Sequence, residues 1–336
     1  MKVLLAACTA ALIATSGTAT ATAQPLVPAA DRDVRFVADG TITYGTVHVP
    51  AHRPGTRLPA ALLIPGSGPT DRDGNEPGLA PATLRLIAET LGDDGVMTLR
   101  FDKYGTGKTG LGRYQDDPSR LDMESFTRQA GVAYATLRAQ PEADSRAMLI
   151  VGHSEGGLQA LLVARQEHPA AIALLAPQDL RLLDLLKLQI SEQIDAALAA
   201  GALTAAEAEA NKSGLTRVIA QFRDGAQPDY TGMTADLVTF LQQAIFSSVN
   251  ARFVRSDDAI YPPDVARTVH TRAMVTCGTA DTQVPCWTTA PLLAALPTPE
   301  PRVLPGIDHF LHTAGTPAGE QVLAPAVRQA LREFWP

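Results

Sequence analysis

Cysteine is scarce in this chain: three residues in 336, of which Cys8 falls in the first apolar stretch, leaving only Cys277 and Cys286 further on. Nothing like a disulfide-dense small scaffold is possible, and with no clustering of histidine and cysteine around the pair a structural zinc site is disfavoured. Aromatic residues are few at 5%, and no apolar run beyond the N-terminus approaches the roughly 20 residues needed to span a bilayer. Positive charge is also short, with 28 Lys and Arg against 35 Asp and Glu. That balance argues against nucleic acid, whose binding needs clustered cations.

What is present starts with a leader pattern. Met1-Lys2, the apolar stretch 3–14 and Ala21-Thr22-Ala23 read as the n-region, h-region and cleavage site of an export signal, with cleavage expected after Ala23 and a secreted or periplasmic destination. Leu5-Ala6-Ala7-Cys8 superficially resembles a lipid-attachment site, but only seven residues precede the cysteine. Taking away the leader and its single lysine leaves 313 residues, 27 basic against 35 acidic, enough for one large domain with an insertion. In an exported chain, cysteines nine residues apart are candidates for a local disulfide, Cys277 to Cys286; two reduced, buried thiols are the competing reading.

Segments 35–37 and 41–49, joined by Asp39-Gly40, alternate with period two and predict an antiparallel hairpin. Thereafter apolar strands (about 59–65, 96–101, 147–152, 171–176, 272–277 and 301–304) alternate with helical periodicity (about 80–92, 122–139, 155–167, 287–295 and 319–334). Such alternation predicts a mostly parallel sheet with helices on both faces. About 95 residues separate the strands near 175 and 273, far more than a crossover requires. Leu182, Leu183, Leu186, Ile190 and Ile194 at helical spacing, with Leu237, Phe240, Leu241 and Phe246 beyond, predict a helical cap inserted after the sixth core strand.

The chemistry centres on Gly152-His153-Ser154-Glu155-Gly156, which directly follows the apolar strand and precedes a helical run. A strand turning sharply into a helix strains its apex residue, so the flanking positions must be small; this is how a serine nucleophile is presented. A serine hydroxyl needs a base, and the base an orienting acid. His309, past the last strand in Pro305-Gly306-Ile307-Asp308-His309-Phe310, is the candidate base, and Asp281, past the strand ending at Cys277-Gly278, the candidate acid. Competing roles are a helix cap for Asp281 and a surface loop for His309; Asp308 is expected to point away, and His153 to pack under the turn. The backbone N–H of Glu155 and that of Ser67, in Pro65-Gly66-Ser67-Gly68-Pro69, are the candidate oxyanion donors.

Taken together in this order, segments 65–75, 100–107, 152–156, 278–281 and 306–309 resemble the bacterial α/β-hydrolase superfamily, and more narrowly carboxylesterases allied to its dienelactone-hydrolase-like and serine-aminopeptidase-like groups. The resemblance runs from about residue 34 to 334, apart from the insertion. It implies an α/β-hydrolase fold; with the N-terminal antiparallel hairpin and the inserted cap read above, the expected division is core over 24–178 and 271–336 and a helical cap over 179–270. It implies Ser154 as nucleophile, His309 as base, Asp281 as acid, Ser67 and Glu155 as backbone donors, and no cofactor. Many members carry His-Gly where this chain has Pro65-Gly66. Charged Asp71, Arg72 and Asp73 are expected to form a turn network with Asp102 and Lys103, contact of Arg72 with substrate being the alternative. The expected substrate is a small ester of short to moderate acyl length. The alternatives are a peptide whose amino terminus is held by Glu192, Asp195, Glu207 or Glu209, and a binding protein without catalysis. Sequence says nothing about oligomeric state.

Overall fold

The computed structural model describes residues 24–317 and 320–335. The export signal expected over 1–23 lies outside the described residues.

The hairpin forms as β1 (Ala30–Ala38) and β2 (Thr41–Val49), with Asp39 and Gly40 both at positive φ, as a tight two-residue turn between twisted strands requires. Six further strands follow: β3 (Leu58–Ile64), β4 (Met97–Phe101), β5 (Ala143–His153), β6 (Ala171–Leu175), β7 (Arg272–Gly278) and β8 (Pro299–Leu304). They pair in the order β1-β2-β4-β3-β5-β6-β7-β8, parallel from β4 to β8. The chain leaves β3 to one side and returns on the other, so the sheet's switch point lies between β3 and β5, the usual place for a ligand crevice.

Period two sorts each central strand between the two layers of core. Leu62, Ile64, Ile150 and Ile172 meet α2 (Met123–Arg138) and α3 (Glu155–Glu167), whereas Leu63, Leu149, Val151 and Ala173 meet α1 (Thr83–Asp93) and a C-terminal helix, Pro325–Phe334. Two predicted helices come out shorter. The segment near 287–295 is a 3₁₀ turn, Cys286–Thr288, followed by Ala290–Ala295, because Pro291 sits in the first turn and cannot donate; the last helix starts at Pro325, not near 319, for the same reason.

Between β6 and β7 lie α4 (Leu182–Ala199), α5 (Ala205–Arg223), α6 (Ala235–Phe240), α7 (Ala251–Asp258) and α8 (Pro262–Ala266); the two helices after β7 are α9 (Ala290–Ala295) and α10 (Pro325–Phe334). Leu183, Ile190, Leu215, Val218, Phe222 and Leu241 form a core of their own inside the insertion. By contrast, Val265, Ala266 and Val269 join the core beneath α3, so the chain has returned to the main sheet by α8. No helix among the described residues is long and apolar enough to cross a membrane.

Candidate active site

Because β3, β5, β7 and β8 are parallel in one sheet, the loops leaving their C-terminal ends share one rim. Ser154 follows β5 at φ 56°, ψ −125°, a strained turn for a residue with a side chain. Its glycine neighbours are required sterically: a Cβ at Gly152 would stand 2.1 Å from the Gly156 carbonyl oxygen, and one at Gly156 only 2.3 Å from that of Ile64.

Three remote segments meet at this turn. His309 Nε2 lies 3.0 Å from Ser154 Oγ, and His309 Nδ1 lies 2.9 Å from Asp281 Oδ2. The second carboxylate oxygen of Asp281 accepts the backbone N–H groups of Gln283 and Val284, both at 2.8 Å, which turns the first toward the imidazole. Both Asp281 and His309 are buried. The disulfide between Cys277 and Cys286 closes the ten-residue segment that carries Asp281.

The loop after β3 runs directly beside Ser154, since a Cβ on Gly66 would lie 3.1 Å from Ser154 Cβ and 3.6 Å from its Oγ. Neither the Ser67 nor the Glu155 N–H is taken up by another hydrogen bond among the described residues. Asp102, just past β4, anchors this loop. It receives Arg72 through two guanidinium bonds of 3.0 and 2.7 Å, the Arg72 amide at 3.1 Å and the Lys108 amide at 2.9 Å. Arg72 is thus held in the turn network, with Arg100 likewise on Asp73 at 2.8 Å.

Asp308 points away from the site and accepts the His312 amide. Of the insertion carboxylates, Glu207 closes a capping box with Thr204, Asp195 pairs with Lys212, and Glu192 and Glu209 are exposed. His48, His52 and His312 contact Asp31, Pro50 and Pro81, not Ser154.

Two polar residues near the site, Asp179 and Asp257, escaped sequence reasoning, and a third has a contact that it did not foresee. His153 does more than pack: its Nε2 donates to the His309 carbonyl oxygen at 2.7 Å. Burial, with the adjacent His309 ring, holds its pKa down at about 3, so it is a neutral donor. Asp179, just beyond β6, is buried with one oxygen on Thr288 Oγ1 at 2.7 Å, and burial pushes its pKa up to about 7. Asp257 of α7 is buried against Gln178 Nε2 at 2.8 Å, its pKa raised by burial and by the Glu155 carboxylate. Their sole sequence signal was position near a strand end or helix end, which many surface aspartates share. No group of three or more His, Cys, Asp or Glu side chains among the described residues is arranged to hold a metal ion.

Solved structures carry the same architecture. Ferulic acid-bound Est1E from Butyrivibrio proteoclasticus superposes with a TM-score of 0.56 at 18% identity, covering 90% of this chain and 97% of its own. The fold is that of the α/β hydrolases. The α/β hydrolase GrgF from a Penicillium species gives a TM-score of 0.58 at 18% identity (91% and 98% covered), and the Pyrococcus furiosus esterase Pf2001 gives 0.57 at 14% (91% of each). No protein-family model and no curated protein matches the chain. Within the α/β-hydrolase fold, the serine turn after β5, the aspartate after β7 and the histidine after β8 stand in the chain order Ser, Asp, His that the architecture uses for acyl transfer.

Proposed function

We propose that this protein is an exported serine hydrolase that cleaves carboxylic esters of short to moderate acyl chain. The observation that carries the reading is His309, which bridges Ser154 Oγ at 3.0 Å and Asp281 Oδ2 at 2.9 Å. In that geometry the carboxylate accepts the Nδ1 proton, leaving Nε2 free to receive the serine proton. Ser154 Oγ attacks the ester carbonyl while His309 takes its proton, and the carbonyl oxygen becomes an oxyanion facing the Ser67 and Glu155 amides. The carbon–oxygen bond to the alcohol then breaks and His309 returns the proton to the departing oxygen. Water repeats the sequence: it attacks the acyl carbon, His309 takes its proton, the acid leaves, and the proton goes back to Oγ. No cofactor enters any step.

Support for the substrate class comes from neighbours and from the rim of the site. Est1E has been solved with ferulic acid, and the Pyrococcus protein is named an esterase. Helix α4 of the insertion reaches the loop of Asp281, where Gln189 Nε2 donates to the Gln283 carbonyl oxygen at 3.0 Å, and so brings the insertion to the same end of the sheet. Export is supported by the leader pattern and by a disulfide, which suits an oxidising compartment.

The test is acyl-length profiling on p-nitrophenyl esters beside aminoacyl anilides, with Ser154→Ala in parallel. Ester turnover that peaks at short to moderate chains and vanishes in the variant is expected. Exclusive anilide cleavage, or an unchanged rate in Ser154→Ala, would overturn the proposal.

A further inference from the structure

Lys103, two residues beyond β4, is a buried lysine, 6% exposed. Its Nζ donates to the Gly66 carbonyl oxygen, which is its one side-chain hydrogen bond among the described residues. The Phe126 ring lies 5.9 Å from the ammonium, and among the described residues no carboxylate hydrogen-bonds to it. Burial pulls its pKa down, while the more distant carboxylates of Glu155 and Glu76 favour the charged form. Taking an ammonium out of water is costly, and lysines are rarely this buried without a close partner. Here the close partner is one peptide group.

That peptide joins Gly66 to Ser67. It is trans and planar, so its carbonyl oxygen and its N–H point in opposite directions. A donor fixed on the oxygen sets the plane and turns the Ser67 N–H to the far side. Gly66 itself rests against Ser154, and the Ser67 N–H has no other partner among the described residues. A cation on the carbonyl also polarises the amide, and linked hydrogen bonds of this kind strengthen one another. We infer that Lys103 is a positioning residue, which orients the Ser67 amide as an oxyanion donor and strengthens it through the Gly66 carbonyl. The inference rests on the reading of Ser154 as nucleophile. The second donor, the Glu155 amide, belongs to the residue whose carboxylate helps balance the Lys103 charge, so both donors share one buried electrostatic unit.

The experiment compares Lys103→Met, Lys103→Arg and the double variant Lys103→Met/Glu155→Gln with the wild type. The readings are p-nitrophenyl acetate kinetics, thermal melting and the ¹H–¹⁵N shift of the Ser67 amide. Outright removal of an oxyanion donor costs about 10²- to 10³-fold in kcat, so disorienting one is expected to cost Lys103→Met about 10- to 100-fold in kcat with KM changed less than about twofold. Lys103→Arg, which keeps a cationic donor, should recover part of that loss. The double variant removes both buried ionisable groups; it should regain melting temperature but not kcat, and the Ser67 amide proton should move upfield in both variants that carry Lys103→Met. Recovery of kcat together with stability in the double variant, or a Ser67 amide that does not shift, would overturn the inference. Absence of any Ser154-dependent ester turnover in the wild type would instead sink the proposed function, and the amide shift would still decide the role of Lys103.

Discussion

His153 Nε2 lies 2.7 Å from the carbonyl oxygen of His309, so the residue before the proposed nucleophile, Ser154, holds the backbone of its proposed base. The two imidazole rings sit 5.0 Å apart, and the neutral state of His153 leaves the site with one cationic imidazole at most during turnover.

Replacing this clamp should separate geometry from chemistry. His153→Phe leaves a buried carbonyl without its donor, which costs about 1–3 kcal/mol of stability, and frees His309 to drift from Ser154. We expect that loss in urea unfolding together with a fall in kcat of at least about tenfold. His153→Gln, which can still donate an N–H, should regain part of both. A fully active His153→Phe would show that the loop of His309 needs no such tie.

Asp281→Asn replaces the acceptor at His309 Nδ1 with a group that can donate, favouring the wrong tautomer. A loss of kcat on the order of 10⁴-fold is expected, with KM little changed. Introducing it into Ser154→Ala should cost almost nothing further, because the residues act as one unit. Steady-state kinetics of the single and double variants check both points.

The disulfide braces the segment that carries Asp281. In the chain-entropy treatment, closing about ten residues is worth about 2.5 kcal/mol, so Cys277→Ser/Cys286→Ser should melt at a lower temperature by roughly that amount of stability. Activity should fall too, since the Gln283 and Val284 amides that orient Asp281 lie inside the same loop. Dithiothreitol acting on the wild type but not on the double variant would tie both effects to this bond.

Asp179 makes a prediction in pH. Its folded pKa, raised by burial to about 7, stands above the ordinary value of 3.8, so between those values the folded chain holds a proton that the unfolded chain has released. Stability from this group is therefore lost as pH rises from about 4 to about 7 and stays lost above. His153 acts oppositely: with its pKa lowered to about 3, its contribution is lost as pH falls below about 6.5. Asp179→Asn isolates the first effect. It should stabilise the protein by on the order of 2–4 kcal/mol at pH 8 and by little at pH 4, read from urea midpoints at the two values. Equal midpoint changes at both would mean that Asp179 is ionised throughout.

Much of this molecule is written in short stretches of chain. The Asp39-Gly40 turn, the apolar strand behind Gly152, the glycines flanking Ser154 and the alternation of strands and helices each obey local rules of sterics and periodicity, and the chain order of Ser154, Asp281 and His309 follows from them. Element boundaries were less legible where proline intervened, as at Pro291 and Pro325. The His153 contact with the His309 backbone, the grip of Lys103 on Gly66 and the burial of Asp179 and Asp257 had no such local sign. Each joins residues far apart in sequence, 156 positions in the case of His153 and His309. Which loops become neighbours depends on strand order and register, and whether a polar side chain is desolvated depends on everything packed around it. Periodicity along a chain assigns a residue to a face; only the assembled sheet decides what that face meets.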